Sequence, residues 1–82
     1  NELDDKAIPA YQEVINELEA KQCDADEISY LKQAYQYMGF IYTYDKQDFE
    51  TAKPYFDKLL KLDPENKIAK DAFEKAGIQP GA

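Results

Sequence analysis

The sequence contains no arginine, no histidine and no tryptophan, and its charge is strongly one-sided. Seventeen aspartates and glutamates stand against ten lysines, which gives a formal net charge of −7. A chain without arginine cannot form a bidentate guanidinium clamp on phosphate, and a negative net charge repels nucleic acid and anionic lipid. Without histidine, a cysteine nucleophile also lacks its usual base. These absences argue against nucleic-acid binding and against a cysteine-dependent enzyme.

Cysteine is limited to Cys23, which cannot form a disulfide within the chain. The domain therefore depends on hydrophobic packing, and a reducing compartment such as the cytoplasm is weakly favoured, although the localisation stays open. The neighbouring carboxylates of Asp24 and Asp26 disfavour a thiolate. We therefore interpret Cys23 as an inert loop residue rather than a nucleophile.

Long apolar runs are also missing, because no stretch approaches the roughly 18 residues that a membrane helix requires. Residues 1–5 are acidic, whereas a signal peptide begins with basic residues followed by apolar ones. We expect a soluble chain with no membrane insertion. Since the chain does not begin with methionine, we expect it to be a mature form or a piece of a longer protein.

The chain is long enough for one domain, spanning residues 1–82, and 44% hydrophobic with 33% charged residues is typical of a globular protein. Most carboxylates fall on polar helix faces or at helix starts, where solvation or capping accounts for them. Two short acidic clusters, at 24–27 and 45–48, lack the glycine and the terminal glutamate of a calcium loop. We therefore predict no catalytic residue, no metal site and no cofactor.

Apolar residues recur at steps of three and four along the chain, and no stretch alternates as a strand does, so the predicted class is all-α. The first helix is predicted over 4–20. Proline has no N–H and crowds the carbonyl four residues back, so Pro9 is expected in the first turn or at a kink. The second helix is predicted over 25–44, and Asp24 with Glu27 has the spacing of a capping box at its start.

The second half of the chain predicts two further helices. Asp48 is expected to cap the third helix. Asp63 is expected to cap the fourth, with Pro64 at its first position, which the fixed φ of proline suits. Gly77 is expected to stop this helix. The predicted ranges are 49–62 for the third helix, 64–76 for the fourth and 77–82 for a loose tail.

Apolar side chains cover more than half of the second helix, so it should pack on two sides or keep one side for a partner. Tyr30 and Tyr37 lie at the edge of its core face, and we interpret them as core residues packed on the first helix. Phe40 and Tyr44 lie opposite the core face, open to a partner, to solvent or to a preceding helix of a longer protein. The predicted core face comprises Leu31, Ala34, Tyr35, Met38, Ile41 and Tyr42. The expected contacts on the first helix are Tyr11, Val14 and Leu18.

A faint internal repeat relates the first and third helices at an offset of 45 residues. Small, proline, aromatic and paired aliphatic positions recur together, which indicates two copies of one structural unit. The recurring positions are Ala7, Pro9, Tyr11, Val14 and Ile15 against Ala52, Pro54, Phe56, Leu59 and Leu60.

The chain also resembles the tetratricopeptide repeat, a helix-turn-helix unit with a fixed pattern of small and large residues. Small residues in that pattern let two helices approach closely, and Gly39 and Ala52 stand at those positions here. The two are 13 residues apart, one more than in the family, so the turn between the helices carries one extra residue. The matched residues are Tyr35, Met38, Gly39, Tyr42, Ala52, Phe56 and Pro64.

The resemblance implies antiparallel helical hairpins forming part of a right-handed superhelix. One full repeat would cover 25–62, after the second helix of a truncated repeat and before a C-terminal capping helix. It also implies that the concave face, lined by the first helix of each repeat, holds a peptide or a partner helix. One branch of the family binds carboxylate-terminated chaperone tails through a clamp of lysine, asparagine and arginine. That clamp is absent here, because Gln36 and Phe40 stand at its positions. The implied groove-lining residues are Gln33, Gln36, Tyr37, Phe40, Thr43 and Tyr44.

Together these observations predict a non-catalytic protein–protein interaction module that acts as a scaffold. Its partner would be a protein or peptide, apolar or amphipathic, and the acidic charge favours basic flanks. The first 24 residues hold seven carboxylates against two lysines, so either a basic partner or simply a solvated face is expected there. The alternative is a structural end-cap or self-association segment of a longer solenoid, with recognition carried elsewhere.

Overall fold

The computed structural model describes residues 2–78, with side chains from Asp5 onward. All regular structure in these described residues is helical, which confirms the predicted all-α class. The predicted loose tail lies outside the described residues except for Gly77 and Ile78. The elements are α1 (Glu2–Glu19), α2 (Ala25–Phe40), a π-helical turn (Ile41–Asp45), α3 (Phe49–Leu62) and α4 (Lys67–Ala76).

Two prolines lie inside helices. Pro9 is the eighth residue of α1, because the helix begins at Glu2, so the expectation that it lies in the first turn is wrong. Pro54, at the equivalent position of the internal repeat, lies inside α3. Both prolines are exposed, so the carbonyls that lose an N–H partner can bond to water instead. This solvent-facing placement lets both helices continue through their prolines.

The start of α2 is a capping box, as predicted. The Asp24 carboxylate accepts a 2.9 Å hydrogen bond from the Glu27 N–H, and the Glu27 carboxylate accepts one of 3.1 Å from the Asp24 N–H. The predicted end near Tyr44 agrees with the end of the helical segment, but the type of its last turn differs: the α-helix stops at Phe40 and the chain continues as the π turn to Asp45. There the Lys46 N–H donates to the Ile41 carbonyl, five residues back, at 2.9 Å. A π turn therefore holds one more residue than an α turn.

Helix α3 has the predicted bounds, and Asp48 caps it by accepting a 3.3 Å hydrogen bond from the Thr51 N–H. Helix α4 begins three residues later than predicted. The Asn66 N–H donates to the Asp63 carbonyl at 3.0 Å, which closes a turn with Pro64 at its second position. The fixed φ of proline suits that turn position as well as a helix start, so the segment turns before the helix begins.

Both ends of α4 are capped. The Asn66 side chain accepts a 3.0 Å hydrogen bond from the Ala69 N–H at the start. At the end, Gly77 adopts the left-handed conformation, with φ of 71°. The Gly77 N–H donates to the Glu74 carbonyl and the Ile78 N–H to the Phe73 carbonyl, both at 3.1 Å. This pair of bonds is a Schellman motif, and Gly77 ends the helix as predicted.

The core lies around α2, which packs on α1, α3 and α4. Gly39 of α2 lies directly against the ring of Phe56 in α3, since a Cβ atom at residue 39 would be 2.7 Å from that ring. The contact that requires glycine is therefore made with Phe56, one turn along α3 from the small residue Ala52. The buried apolar residues are Ile15, Leu31, Ala34, Tyr35, Met38, Ile41, Ala52, Phe56, Leu59, Ala69, Ala72 and Phe73.

Candidate functional site

The six residues predicted to line one groove are divided between two sides of α2. Gln33 faces α1, and Tyr37 is partly buried because its ring stacks on that of Tyr11, with 4.4 Å between the ring centroids. Gln36 faces α4, where its Oε1 accepts a 3.1 Å hydrogen bond from Asn66 Nδ2. The predicted single groove is therefore split into an α1 side and an α4 side.

Phe40 and Tyr44 form an exposed aromatic pair where α2 passes into the π turn. Their ring centroids are 4.8 Å apart, and 47% of Phe40 and 36% of Tyr44 is exposed. The Nζ atom of Lys75, from α4, lies 5.2 Å from the Tyr44 ring centroid, within the range of a cation–π interaction. The exposure agrees with the expectation that both rings lie opposite the core face.

A groove of about 280 Å³ opens beside this pair, between the π turn and α4; we call it the α4 groove. The Phe49 ring in its wall is held edge-on to the buried Phe73 ring, with centroids 5.3 Å apart. Ala72 is fully buried and keeps the groove open because its side chain is small. The groove is lined by Thr43, Tyr44, Gln47, Phe49, Ala72, Lys75 and Ala76.

Thr43 places a polar atom in the wall of the α4 groove. Its hydroxyl oxygen is buried, and it has no hydrogen-bond partner among the described residues. A buried hydroxyl that stays unsatisfied costs about 1–3 kcal/mol.

A second groove, of about 510 Å³, runs between α1 and α2; we call it the α1–α2 groove. Tyr30 was expected in the core against the first helix, but the structure corrects this, because Tyr30 is 63% exposed at the edge of this groove. Val14, expected beside it, is 37% exposed. The Tyr11 ring of α1 stacks on Tyr37 rather than on Tyr30. The groove is lined by Tyr11, Val14, Glu17, Leu18, Glu27, Tyr30 and Gln33.

Below this groove a polar cluster joins three helices. Glu19 of α1 accepts hydrogen bonds from the Tyr35 hydroxyl of α2 and, at 2.9 Å, from Lys58 Nζ of α3. The Tyr35 hydrogen bond, together with the lysine, lowers the pKa of the Glu19 carboxyl. Burial, followed by the bond to Glu19, raises the pKa of the Tyr35 hydroxyl well above its usual range. The cluster holds α1 at a set position without filling the groove above it.

The cysteine and the acidic clusters show no arrangement for chemistry. Cys23 lies in the loop between α1 and α2, partly buried, and its Sγ donates a 3.2 Å hydrogen bond to the Leu18 carbonyl. Among the described residues, no three histidine, cysteine or carboxylate side chains converge as a metal site would require.

Sequence reasoning missed the contribution of α4 to the site. Lys75 and Ala72 lie on the last helix, which was interpreted only as a cap. The helical spacing does place Ala72 and Lys75 three residues apart, on one face. Nothing in the sequence shows which part of α2 that face meets, because this depends on the turn before α4.

None of the helices within residues 2–78 is both long enough and apolar enough to cross a lipid bilayer. No protein-family model, no curated protein and no solved structure matches the chain.

Proposed function

We propose that the chain is a non-catalytic protein–protein interaction module, a scaffold similar to tetratricopeptide repeats. It binds a peptide or a partner helix along the outer face of α2, at the end where Tyr44 lines the α4 groove and Phe40 packs on Tyr44. The observation that carries this proposal is the exposed aromatic pair beside that groove.

The aromatic pair has the features of a binding hot spot. Aromatic side chains are enriched at the centres of interfaces because they bury a large apolar area while losing few rotamers. Phe40 and Tyr44 are half-exposed in the free chain, so a partner can bury them further. The groove beside them, at about 280 Å³, accommodates one or two anchoring side chains.

The chemistry of the walls favours an apolar or amphipathic partner. Phe49 and Ala72 supply apolar walls. The net charge of −7 favours partners with basic flanks, since complementary charge speeds association. The same negative net charge of the chain disfavours nucleic acid as a partner.

The experiment is a selection from a displayed library of 16-residue helical peptides against the whole chain. The best peptide is then titrated against wild type and against the double variant Phe40→Ala/Tyr44→Ala by fluorescence anisotropy. Removing two hot-spot rings should weaken binding by about 1–3 kcal/mol in total, which is five- to 150-fold. The melting temperature should stay nearly unchanged, because both rings are exposed.

Tyr30→Ala is the matched control, since it removes an exposed ring from the α1–α2 groove. A selected peptide that binds the double variant as tightly as wild type would place recognition elsewhere. A collapse in melting temperature of the double variant would show instead that the rings support the fold. Sedimentation across a range of concentrations tests self-association: a stable dimer that the double variant dissociates would favour the end-cap or self-association role.

A further inference from the structure

The α1–α2 groove shares no lining residue with the α4 groove and combines exposed apolar surface with carboxylates. Its floor is formed by Tyr11 and Leu18, which are partly buried. Its rims carry Val14 and Tyr30, which are 37% and 63% exposed. With a volume of about 510 Å³, it is the larger of the two grooves described here. Exposed apolar surface of this kind, bordered by charged residues, is typical of a contact site.

The shape of the groove fits a helix. The α1 residues at its edge, Tyr11, Val14 and Leu18, follow steps of three and four and so form one stripe along α1. On α2, Tyr30 and Gln33 form a facing stripe. At 1.5 Å per residue, the stripe from Tyr11 to Leu18 is about 10 Å long, which is two helical turns. A partner helix would place apolar side chains at positions i, i+3 or i+4, and i+7 between the two stripes.

The charged residues at the groove favour a partner that is positively charged. Glu17 and Glu27 line the groove, and no lysine is among its lining residues. The surrounding segment 1–24 holds two lysines and seven carboxylates, a net charge of −5, whereas segment 25–48 has −2 and segment 49–82 has none. Most of the charge of the chain is therefore concentrated around α1. Lys21 is already engaged in an ion pair with Glu27.

We propose that the α1–α2 groove is a docking site for a basic amphipathic helix of a partner protein. The apolar face of the partner helix covers Val14 and Tyr30, and a lysine or arginine beside that face meets Glu17. A second copy of this chain fits poorly, because its own α1 is acidic and its segment 49–82 has no net positive charge. An anionic membrane is repelled by the same carboxylates. This site is separate from the α4 groove and does not depend on the proposed function.

The probe is a 14-residue peptide with leucines at helical spacing and lysines elsewhere, capped at both ends. A matched peptide carries glutamate in place of every lysine, and a third has the lysine and leucine order scrambled. Binding to the whole chain is followed by amide chemical shifts and by anisotropy at low and high salt. The lysine peptide should bind, with the largest shifts in α1 and in the first half of α2. The glutamate and scrambled peptides should bind at least tenfold more weakly.

Three variants locate the site. Tyr30→Ala should weaken the lysine peptide about tenfold, since it removes an exposed aromatic anchor. Glu17→Lys should weaken it about fivefold and reduce its salt dependence. The control Phe40→Ala/Tyr44→Ala should change the affinity less than twofold. Each variant is exposed at the substituted position, and circular dichroism checks its fold.

Several results would overturn the proposal. One is no binding of the lysine peptide, or equal binding of the glutamate peptide. Another is an affinity for the lysine peptide that is unchanged by Tyr30→Ala but lost in the control variant Phe40→Ala/Tyr44→Ala. That result would place this peptide in the α4 groove. A third is a dimer of the chain that Tyr30→Ala dissociates, because the occupant would then be a second copy.

Discussion

Helix α2 packs on α3 and on α1 in two different ways. Against α3 the contact is apolar and dense: Phe56 and Leu59 are fully buried, and the Phe56 ring touches the backbone at Gly39. Against α1 the only fully buried α1 side chain among those described is Ile15, and the Tyr35 hydroxyl reaches across to a carboxylate. The first interface is determined by shape, whereas the second combines one buried aliphatic side chain, the Tyr11–Tyr37 ring stack and a polar bond, and leaves a groove open.

The substitution Phe56→Ala should reveal the largest difference in stability between the two interfaces. The ring is 0% exposed, and removing it leaves a cavity at the centre of the α2–α3 contact. We expect a loss of about 3–5 kcal/mol of unfolding free energy, close to the whole stability of a domain this small. Urea unfolding measures it. Val14→Ala, on the groove side of α1, should cost less than about 1 kcal/mol. Equal losses would contradict the contrast between the two interfaces.

Gly39→Ala should sharpen the argument from shape. Alanine favours the helix by about 1 kcal/mol, but its methyl group would lie 2.7 Å from the fully buried Phe56 ring, which would have to shift. Overpacking costs about 1–3 kcal/mol, so we expect a net destabilisation of roughly 1 kcal/mol. In a double-mutant cycle, Phe56→Leu should make Gly39→Ala less harmful, because leucine does not extend as far. Additive effects in the cycle would show that the two residues are not in contact.

Tyr35→Phe tests the polar side of the comparison. It removes the hydrogen bond to the Glu19 carboxylate, and a bond to a charged group contributes about 1.5 kcal/mol at neutral pH. Because that bond lowers the pKa of Glu19, its stabilisation is present above the unfolded pKa of about 4.3 and is lost as pH falls through the folded value.

The measurement is urea unfolding at pH 7 and pH 3. The difference between wild type and Tyr35→Phe should shrink at pH 3, because Glu19 is then increasingly protonated in both. Tyr30→Phe is the matched control: its hydroxyl lies on an exposed residue, so it should show little change at either pH. A difference that is the same at both values would mean that Glu19 is not the partner that matters.

The smallest effect should follow Lys58→Gln. Its ammonium group bonds to Glu19 at 2.9 Å, but about half of the side chain is exposed, so solvent screens the pair. We expect Lys58→Gln to lose less than about 0.5 kcal/mol of unfolding free energy. In 0.5 M salt the wild type and the variant should be equally stable, because the salt screens the ion pair. Lys61→Gln, on the same helix, serves as the control. A loss as large as that of Tyr35→Phe would show that the lysine, rather than the tyrosine, holds α1.

Local signals in the sequence predicted the helix ends well where one side chain decides them. Two of these side chains, Asp24 and Asp48, cap the expected helices, because each accepts a hydrogen bond from a backbone N–H in the first turn. Gly77 ends α4 as expected, because it adopts the left-handed conformation there. The start of α4 was predicted wrongly because Pro64 suits both a turn and a helix start, and Asn66 decides between them. No single side chain in the sequence predicts the π turn.

The candidate site could be predicted only in part. The exposure of Phe40 and Tyr44 follows from their angle on α2, because they lie opposite the core stripe. The exposure of Tyr30 does not follow from its angle on α2, because that angle is close to the angle of Tyr37, whose ring stacks on Tyr11. Which tyrosine is covered depends on how far α1 lies from α2 at each level.

The sequence by itself determined the all-helical class, most helix ends and the buried stripe of each helix, because these depend on interactions within about four residues. The tertiary structure alone decided that the outer face of α2 is divided into two grooves of different size and charge. That outcome depends on the distances between helices far apart in the sequence. Those distances follow from the Gly39–Phe56 contact, the turn at Pro64 and the bond between Tyr35 and Glu19.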